Sequence, residues 1–254
     1  MAHDPAAIPS ADTAEARLTR RERVREATLR EIKGIARAYL TEHGTAGVSL
    51  RAIAREMGMT APGLYRYFAS LRDLLASMRA DYFNELADAV AAPHAAVPAD
   101  DVDGRILASL RAFRLWALAH PAEFALLFGP PGTSEDSPNE DEAMCAAQRF
   151  GATFFTLFDQ LTAQGRTVDT GVAIPDDLRR QLHLFAERSG VGTTEPPDDA
   201  LRILVSSWVR LYGVVCMEVF QHYAFVMDDM EPLFEAELRD FMATAGVRYT
   251  PPAD

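Results

Sequence analysis

A chain of 254 residues with 48% hydrophobic content can bury a substantial core and exceeds one minimal domain, so a small head on a larger body is the natural partition. No uninterrupted apolar run of about 18 residues occurs, and the N-terminus MAHDPAAIPSADTAEA has neither the basic stretch nor the apolar core of a signal peptide; the reading is a cytoplasmic chain without a membrane span. The net charge of −12 argues against a uniformly basic nucleic-acid coat, but it is unevenly spread: residues 17–82 carry +6, residues 83–254 carry −15 and residues 1–16 carry −3. Cys145 and Cys216 are too few for a disulfide framework, so reduced thiols are expected.

In chain order, residues 1–16 are read as a disordered leader, and Arg17, Arg20, Arg21 and Arg23 as a basic arm that either adds contacts to a partner or stays solvated. Ile32, Ile35, Ala36 and Leu40 then lead to Gly44. Ser49 is a candidate N-cap for a second helix, in which Leu50, Ile53, Ala54 and Met57 recur at helical spacing before Gly58 closes it. Thr60 offers another N-cap with Pro62 in the first turn, and that helix is predicted to run through Tyr65 and Phe68. Ser70 with Asp73 resembles a capping box that starts the next helix. A turn too short to be a linker forces the second and third helices to cross steeply, as in a DNA-reading helix-turn-helix.

These residues resemble the DNA-binding domain of the TetR family of bacterial regulators. The match rests on Ile32, Ile35, Ala36, Leu40 and Gly44, then Ile53, Ala54 and Gly58, then the L-Y-x-[HY]-F box at Leu64, Tyr65, Tyr67 and Phe68. One position departs from the pattern: Leu71 stands where the family usually has a phosphate-binding Lys, and the neighbouring Arg72 is the one residue placed to substitute. The W-V-R-L-Y-G stretch from Trp208 to Gly213 is similar to a W-x-x-L-H-G motif of one TetR branch, with Tyr212 in place of the His; close helix packing at Gly213 is the competing reading.

The body reads as helices near residues 70–90, 103–119, 121–128, 141–163, 175–189, 198–223 and 231–245, separated by stretches rich in Pro, Gly, Ser, Thr and acids. No sustained period-two alternation occurs, so the class is all-α: a helix-turn-helix domain over residues 17–69 followed by a larger helical effector-binding and dimerisation domain over residues 70–254. The 198–223 helix is apolar on more than one face, which requires cover on two sides. The resemblance implies that the last long helices pair across a twofold axis; Val205, Val215, Val219, Phe234, Leu238 and Phe241 are the candidate contacts, with burial inside a monomer as the alternative.

For DNA, the candidate residues are Ser49, Arg51, Thr60, Ala61, Pro62, Gly63, Tyr65, Arg66 and Tyr67. Thr60 and the free N–H groups behind it suit a phosphate, and Arg66 is the long donor able to fork onto a guanine edge. Phe113, Trp116, Phe124, Phe128, Phe154, Phe158, Trp208 and Tyr212 are candidates for an effector pocket, although aromatics at helical spacing usually fill core. The His222–Glu218 pair and His183 lack the cluster a metal needs, and no G-x-S-x-G, H-E-x-x-H, P-loop or Rossmann glycine pattern marks an enzyme or a cofactor site. The resemblance thus implies a homodimeric, ligand-responsive repressor that leaves a pseudo-palindromic duplex when a small effector binds, and the aromatic candidate lining favours an apolar one. An architectural or protein-interaction module without an effector is the alternative.

Overall fold

The computed structural model describes residues 19–129, 139–166, 171, 173–189 and 197–252. Ten α-helices and no strand occur among them: α1 (Arg20–His43), α2 (Leu50–Glu56), α3 (Ala61–Tyr65), α4 (Leu71–Ala91), α5 (Val102–Ala119), α6 (Pro121–Phe128), α7 (Glu140–Ala163), α8 (Asp176–Ser189), α9 (Asp198–Val219) and α10 (Glu231–Thr244).

Helix α1 opens with a full capping box: the Thr19 hydroxyl accepts from the Glu22 N–H at 3.3 Å, and the Glu22 carboxylate accepts from the Thr19 N–H at 2.6 Å. Arg20, Arg21 and Arg23 are therefore part of a helix and not of an arm; the T-R-R-E pattern was the signal for this. Arg17 and the leader lie outside the described residues. Ile32, Ala36 and Leu40 bury one face of α1 in the head core together with Leu50, Ile53, Ala54 and Leu64. The turn between α2 and α3 passes through Gly58 at φ +64°, a left-handed conformation open to glycine at little cost.

Two local expectations change here. Ser49 occupies the N-cap of α2, but its hydroxyl makes no cap bond. Helix α3 ends at Tyr65 instead of Phe68, because the chain must reverse within a few residues to start α4. Tyr67 and Phe68 wind on with bonds from their N–H groups to the Leu64 carbonyl, which turns Phe68 into the core, and Ser70 then caps α4 by accepting from the Asp73 N–H at 3.1 Å. Asp73 itself accepts from the Ala69 N–H and from the Asn139 amide, tying this corner to the residue preceding α7.

Helix α4 runs from the head into the body, packing along α7 and against α5 and α6. A charged seam binds the head to it. Lys33 donates to Asp81 at 2.7 Å; Arg37 donates to both oxygens of Glu85 at 3.0 and 3.1 Å and to the buried Glu123 at 2.6 Å, with its guanidinium over the Tyr82 ring. Farther in, Phe113 packs among Phe124, Phe128, Phe150 and Trp208 with ring centroids 5.5 to 6.1 Å apart, the spacing of favourable edge and offset contacts.

Helix α9 stops at Val219, four residues short of Tyr223. Arg114 claims both oxygens of Glu218 at 2.6 and 2.7 Å, so the expected Glu218–His222 pair does not form, and the chain turns away through Gln221 at φ +56°. By length and mean hydropathy α9 could cross a membrane, yet it carries Arg202 and Arg210 and packs on α5, α8 and α10. After α10 the tail straps back across the body at Gly246, where φ is +75° and a Cβ would lie 2.0 Å from the Arg166 carbonyl. Arg166 bridges the Gly246 carbonyl and Asp103, and Arg248 closes on the other Asp103 oxygen at 2.8 Å.

Burial pushes the Asp103 carboxyl up, but the bonds from Arg166 and Arg248 outweigh it and hold the group below the ordinary carboxylate range. A depressed folded pKa contributes stability that is complete above the unfolded value and lost as the pH falls through the folded one. Asp103→Asn is therefore expected to cost roughly 1.5 to 3 kcal/mol at neutral pH, the range for hydrogen bonds to charged groups, and to flatten the acid limb of stability. Denaturant melts across an acid pH series check both. A variant with the same acid limb as the parent chain would contradict this account.

Candidate nucleic-acid interface and body cavity

Leu64 and Phe68 point into the head core with Ile53 and Ala54, and this fixes the opposite side of the α3 segment as the outer face. Thr60, Pro62, Tyr65 and Arg66 are exposed there, while Ala61, Gly63 and Tyr67 are half-buried. The Thr60 hydroxyl accepts from the Gly63 N–H at 3.3 Å, so it serves as the α3 cap. A Cβ on Gly63 would sit 3.1 Å from that oxygen, so the glycine permits the close cap. Arg51 and Arg55 are exposed on α2, and neither they nor Arg66 form an ion pair among the described residues; Ser49 is half-buried at its start. Leu71, at the place of the missing Lys, packs against the core, and Arg72 beside it is half-buried. Of the nine predicted residues, Arg51, Thr60, Pro62, Tyr65 and Arg66 are thus exposed and Ser49, Ala61, Gly63 and Tyr67 are half-buried.

The predicted pocket set does not stay together. An apolar cavity of about 70 Å³ lies between α5, α7, α9 and α10, and of the eight predicted residues only Phe154, Phe158 and Trp208 line it. Leu110, Leu157, Leu204, Leu211, Met242 and Val247 share the lining with Ser207 as its polar member. Phe113, Phe124, Phe128 and Tyr212 instead form the packed aromatic block beside it, where the Tyr212 hydroxyl donates to the Phe128 carbonyl at 2.7 Å. Trp116 faces elsewhere and stacks on His120. The aliphatic lining carries no sequence mark that separates it from ordinary core, so the aromatic pattern points to only three of the residues around this cavity.

The candidate interface residues also need correction. Val215, Phe234, Leu238 and Phe241 are buried in the chain's own core; Val205 and Val219 are half-buried against it. The open apolar line on α9 is a different one. Val209 is 61% exposed, Met217 and Phe220 follow at the same helical face, and the turn beyond carries Phe225 at 82% and Val226. Gly213 lies on this line with no atom of the chain within 4 Å of where a Cβ would be, so it does not mark close packing within the chain. The usable signal was the phase: residues 209, 213, 217 and 220 recur at spacings of four and three, opposite the lining residues Leu204, Trp208 and Leu211.

His183 hydrogen-bonds Asp198 at 2.7 Å, with Arg179 on the other carboxylate oxygen, which ties α8 to the start of α9. Among the described residues no group of three or more His, Cys, Asp or Glu side chains could hold a metal ion.

Comparison with known proteins agrees with this architecture. Residues 35–78 match the family described as bacterial regulatory proteins, tetR family, and residues 106–241 match the tetracyclin repressor-like C-terminal domain. The HTH-type transcriptional regulator Rv1816 of Mycobacterium tuberculosis (strain ATCC 25618 / H37Rv) is 32% identical over 234 residues, covering 89% of this chain and 96% of the relative; the regulator Mb1846 of Mycobacterium bovis gives the same figures. Among solved structures, the regulatory protein SCO4313 superposes with a TM-score of 0.69 at 29% identity, over 89% of this chain and all of that one. A TetR family regulator from Shewanella sp. PV-4 shares the fold with a TM-score of 0.54 at 20% identity, over 84% of this chain and 95% of its own. A helix-turn-helix head on an all-helical body, matched over both parts, makes this chain a member of the TetR family of transcriptional regulators.

Proposed function

We propose that the chain acts as a homodimeric repressor in the cytoplasm, holding a pseudo-palindromic duplex through two α3 segments and releasing it when an apolar effector binds the body. The observation that carries the DNA part is the α3 face itself: Thr60, Pro62, Tyr65 and Arg66 stand outward because Leu64 and Phe68 are anchored beneath them. In this reading Arg66 reads a base edge, the Thr60 and Tyr65 hydroxyls hold phosphates, and Ala61 and Gly63 keep the helix close to the groove floor. Ser49 and Arg51 lie over the flanking backbone, and Tyr67 adds a phosphate contact.

The open line through Val209, Gly213, Met217 and Phe220 supports pairing of α9 with its copy about a twofold axis, since an isologous contact needs a self-complementary patch and the small Gly213 allows close approach. Paired bodies would set the two heads about one helical turn of duplex apart, roughly 34 to 36 Å. The effector part is supported by the cavity and by what touches its wall. Trp208 lies 6.0 Å from the Phe128 ring on α6, and α6 carries Glu123, bonded to Arg37 of the head. At about 70 Å³ the cavity is smaller than the roughly 150 Å³ apolar space that holds benzene, so an effector must widen it by moving side chains such as Trp208 and Phe158. That movement would pass through α6 and α4 to change the spacing of the heads. The same small volume favours a second reading, in which the body answers a protein partner instead of a small molecule.

Three measurements test this. Arg66→Ala is expected to cost about 1 to 3 kcal/mol of binding and to relax preference at one base of a duplex selected from a random pool, whereas Tyr65→Phe weakens all sequences alike; uniform weakening by Arg66→Ala would move that residue to the backbone. Light scattering should give twice the 27.9 kDa chain mass, and Met217→Glu should return a monomer that still melts cooperatively. In a screen of apolar compounds, a true effector at a hundredfold excess over Kd should stabilise the chain by about 2.7 kcal/mol and weaken DNA binding. A screen in which no compound does either favours the protein-partner reading.

A further inference from the structure

The first two turns of α1 extend past the head they belong to. Residues 19–27 are all exposed, and the first fully buried residue of the helix is Ile32. An unpacked helical end of this length is marginal by itself in water. The eight residues from Arg20 to Ala27 span roughly 12 Å along the helix axis. The projecting end is also basic, for residues 20–30 hold five arginines against Glu22 and Glu26, and Glu22 is turned back onto the Thr19 N–H. Arg20, Arg21, Arg23, Arg25 and Arg30 form no ion pair among the described residues.

The phase of these arginines matters more than their number. Arg21, Arg25, Leu29, Ile32, Ala36 and Leu40 recur at spacings of four and three, and so share one face of the helix. Over its later turns that face packs against the head core. Toward the N-terminus the same face continues as Arg25 and then Arg21, and the Arg25 guanidinium lies 5.3 Å from the ring centroid of Tyr67, just past the end of α3. The stripe that grips the head thus changes from apolar to cationic where it reaches Tyr67, one residue after Arg66.

We infer that Arg21 and Arg25 form a backbone clamp: a second strip of duplex contact, adjoining the α3 surface, that holds phosphates flanking the groove which α3 enters. This rests on the reading of the chain as a duplex binder and extends its footprint. Charge complementarity selects the occupant, since a duplex carries about one negative charge per 1.7 Å of axis, and the strip is continuous with the proposed base-reading face. Arg25 has a further part as a positioning residue, because its stacking on Tyr67 fixes where that hydroxyl is offered.

The test uses the full chain and its Arg21→Ala, Arg25→Ala and doubly substituted forms, titrated over a salt series against generic sheared duplex DNA and against a duplex selected from a random pool by the unaltered chain. Each lost phosphate contact should lower the slope of log affinity against log salt by about 0.9 per chain on both duplexes. The ratio of selected to generic affinity should stay unchanged, because phosphates carry no sequence. Arg180→Ala on α8 serves as the control that leaves the slope intact, and melting curves confirm that each variant folds. An unchanged slope for a folded Arg21→Ala chain would overturn the inference, as would lost selectivity at constant slope. A chain that selects no duplex fails the functional reading itself, and the generic-duplex slope still reports on the clamp directly.

Discussion

The burial of Glu123 constrains the rest of the molecule more than any other single interaction. A carboxylate removed from water costs several kcal/mol unless a partner and hydrogen bonds compensate it, and the partner here is not on its own helix. Arg37 supplies the charge from α1, 86 residues earlier in the chain, and donates from both terminal nitrogens to Glu85 of α4. Helices α1, α4 and α6 therefore meet at one guanidinium. Separating α1 from α6 would leave Glu123 buried without its partner, so the pose of the reading head is tied to that of α6. Since α6 also carries Phe124 and Phe128 into the aromatic block, the packing of the body and the orientation of the head are one problem.

Charge is divided between two uses. In the body several arginines are engaged internally: Arg111 with Glu235, Arg114 with Glu218, Arg166 with Asp103 and Arg179 with Asp198. The first two bind together helices more than 100 residues apart in sequence. In the head, Arg51, Arg55, Arg66 and the arginines of the first α1 turns form no such pairs among the described residues. A net charge of −12 thus coexists with a locally cationic edge, and an acidic body beside that edge favours one orientation toward a polyanion.

Helix α9 shows the same economy of faces with apolar groups. Leu204, Trp208 and Leu211 look into the cavity, while Val209, Met217 and Phe220 look outward. A helix between an internal void and an open apolar face feels both the occupant of the void and whatever covers the outside. This is the physical link between effector and assembly in the function proposed for the chain.

How much of this was legible in the sequence depended on whether the information was local. Capping residues, glycine turns and apolar periodicity act within a few residues, so the all-α class, the helix-turn-helix and its outward residues could be read from Ser49 to Phe68, and most helix bounds fell within a few positions. Where local signals competed with distant ones, the reading failed. Glu218 was claimed by Arg114 across the body and not by His222 one turn away, and α9 ends at Val219. Phe234, Leu238 and Phe241 went inside because α10 found its cover within the chain. An apolar residue is equally suited to a core, a cavity wall or a partner face, and the sequence records only that it must be kept from water. Which of the three it meets is decided by how the helices rotate against one another, and the paired charges at Arg37, Arg114 and Asp103, brought together from distant parts of the chain, set that rotation.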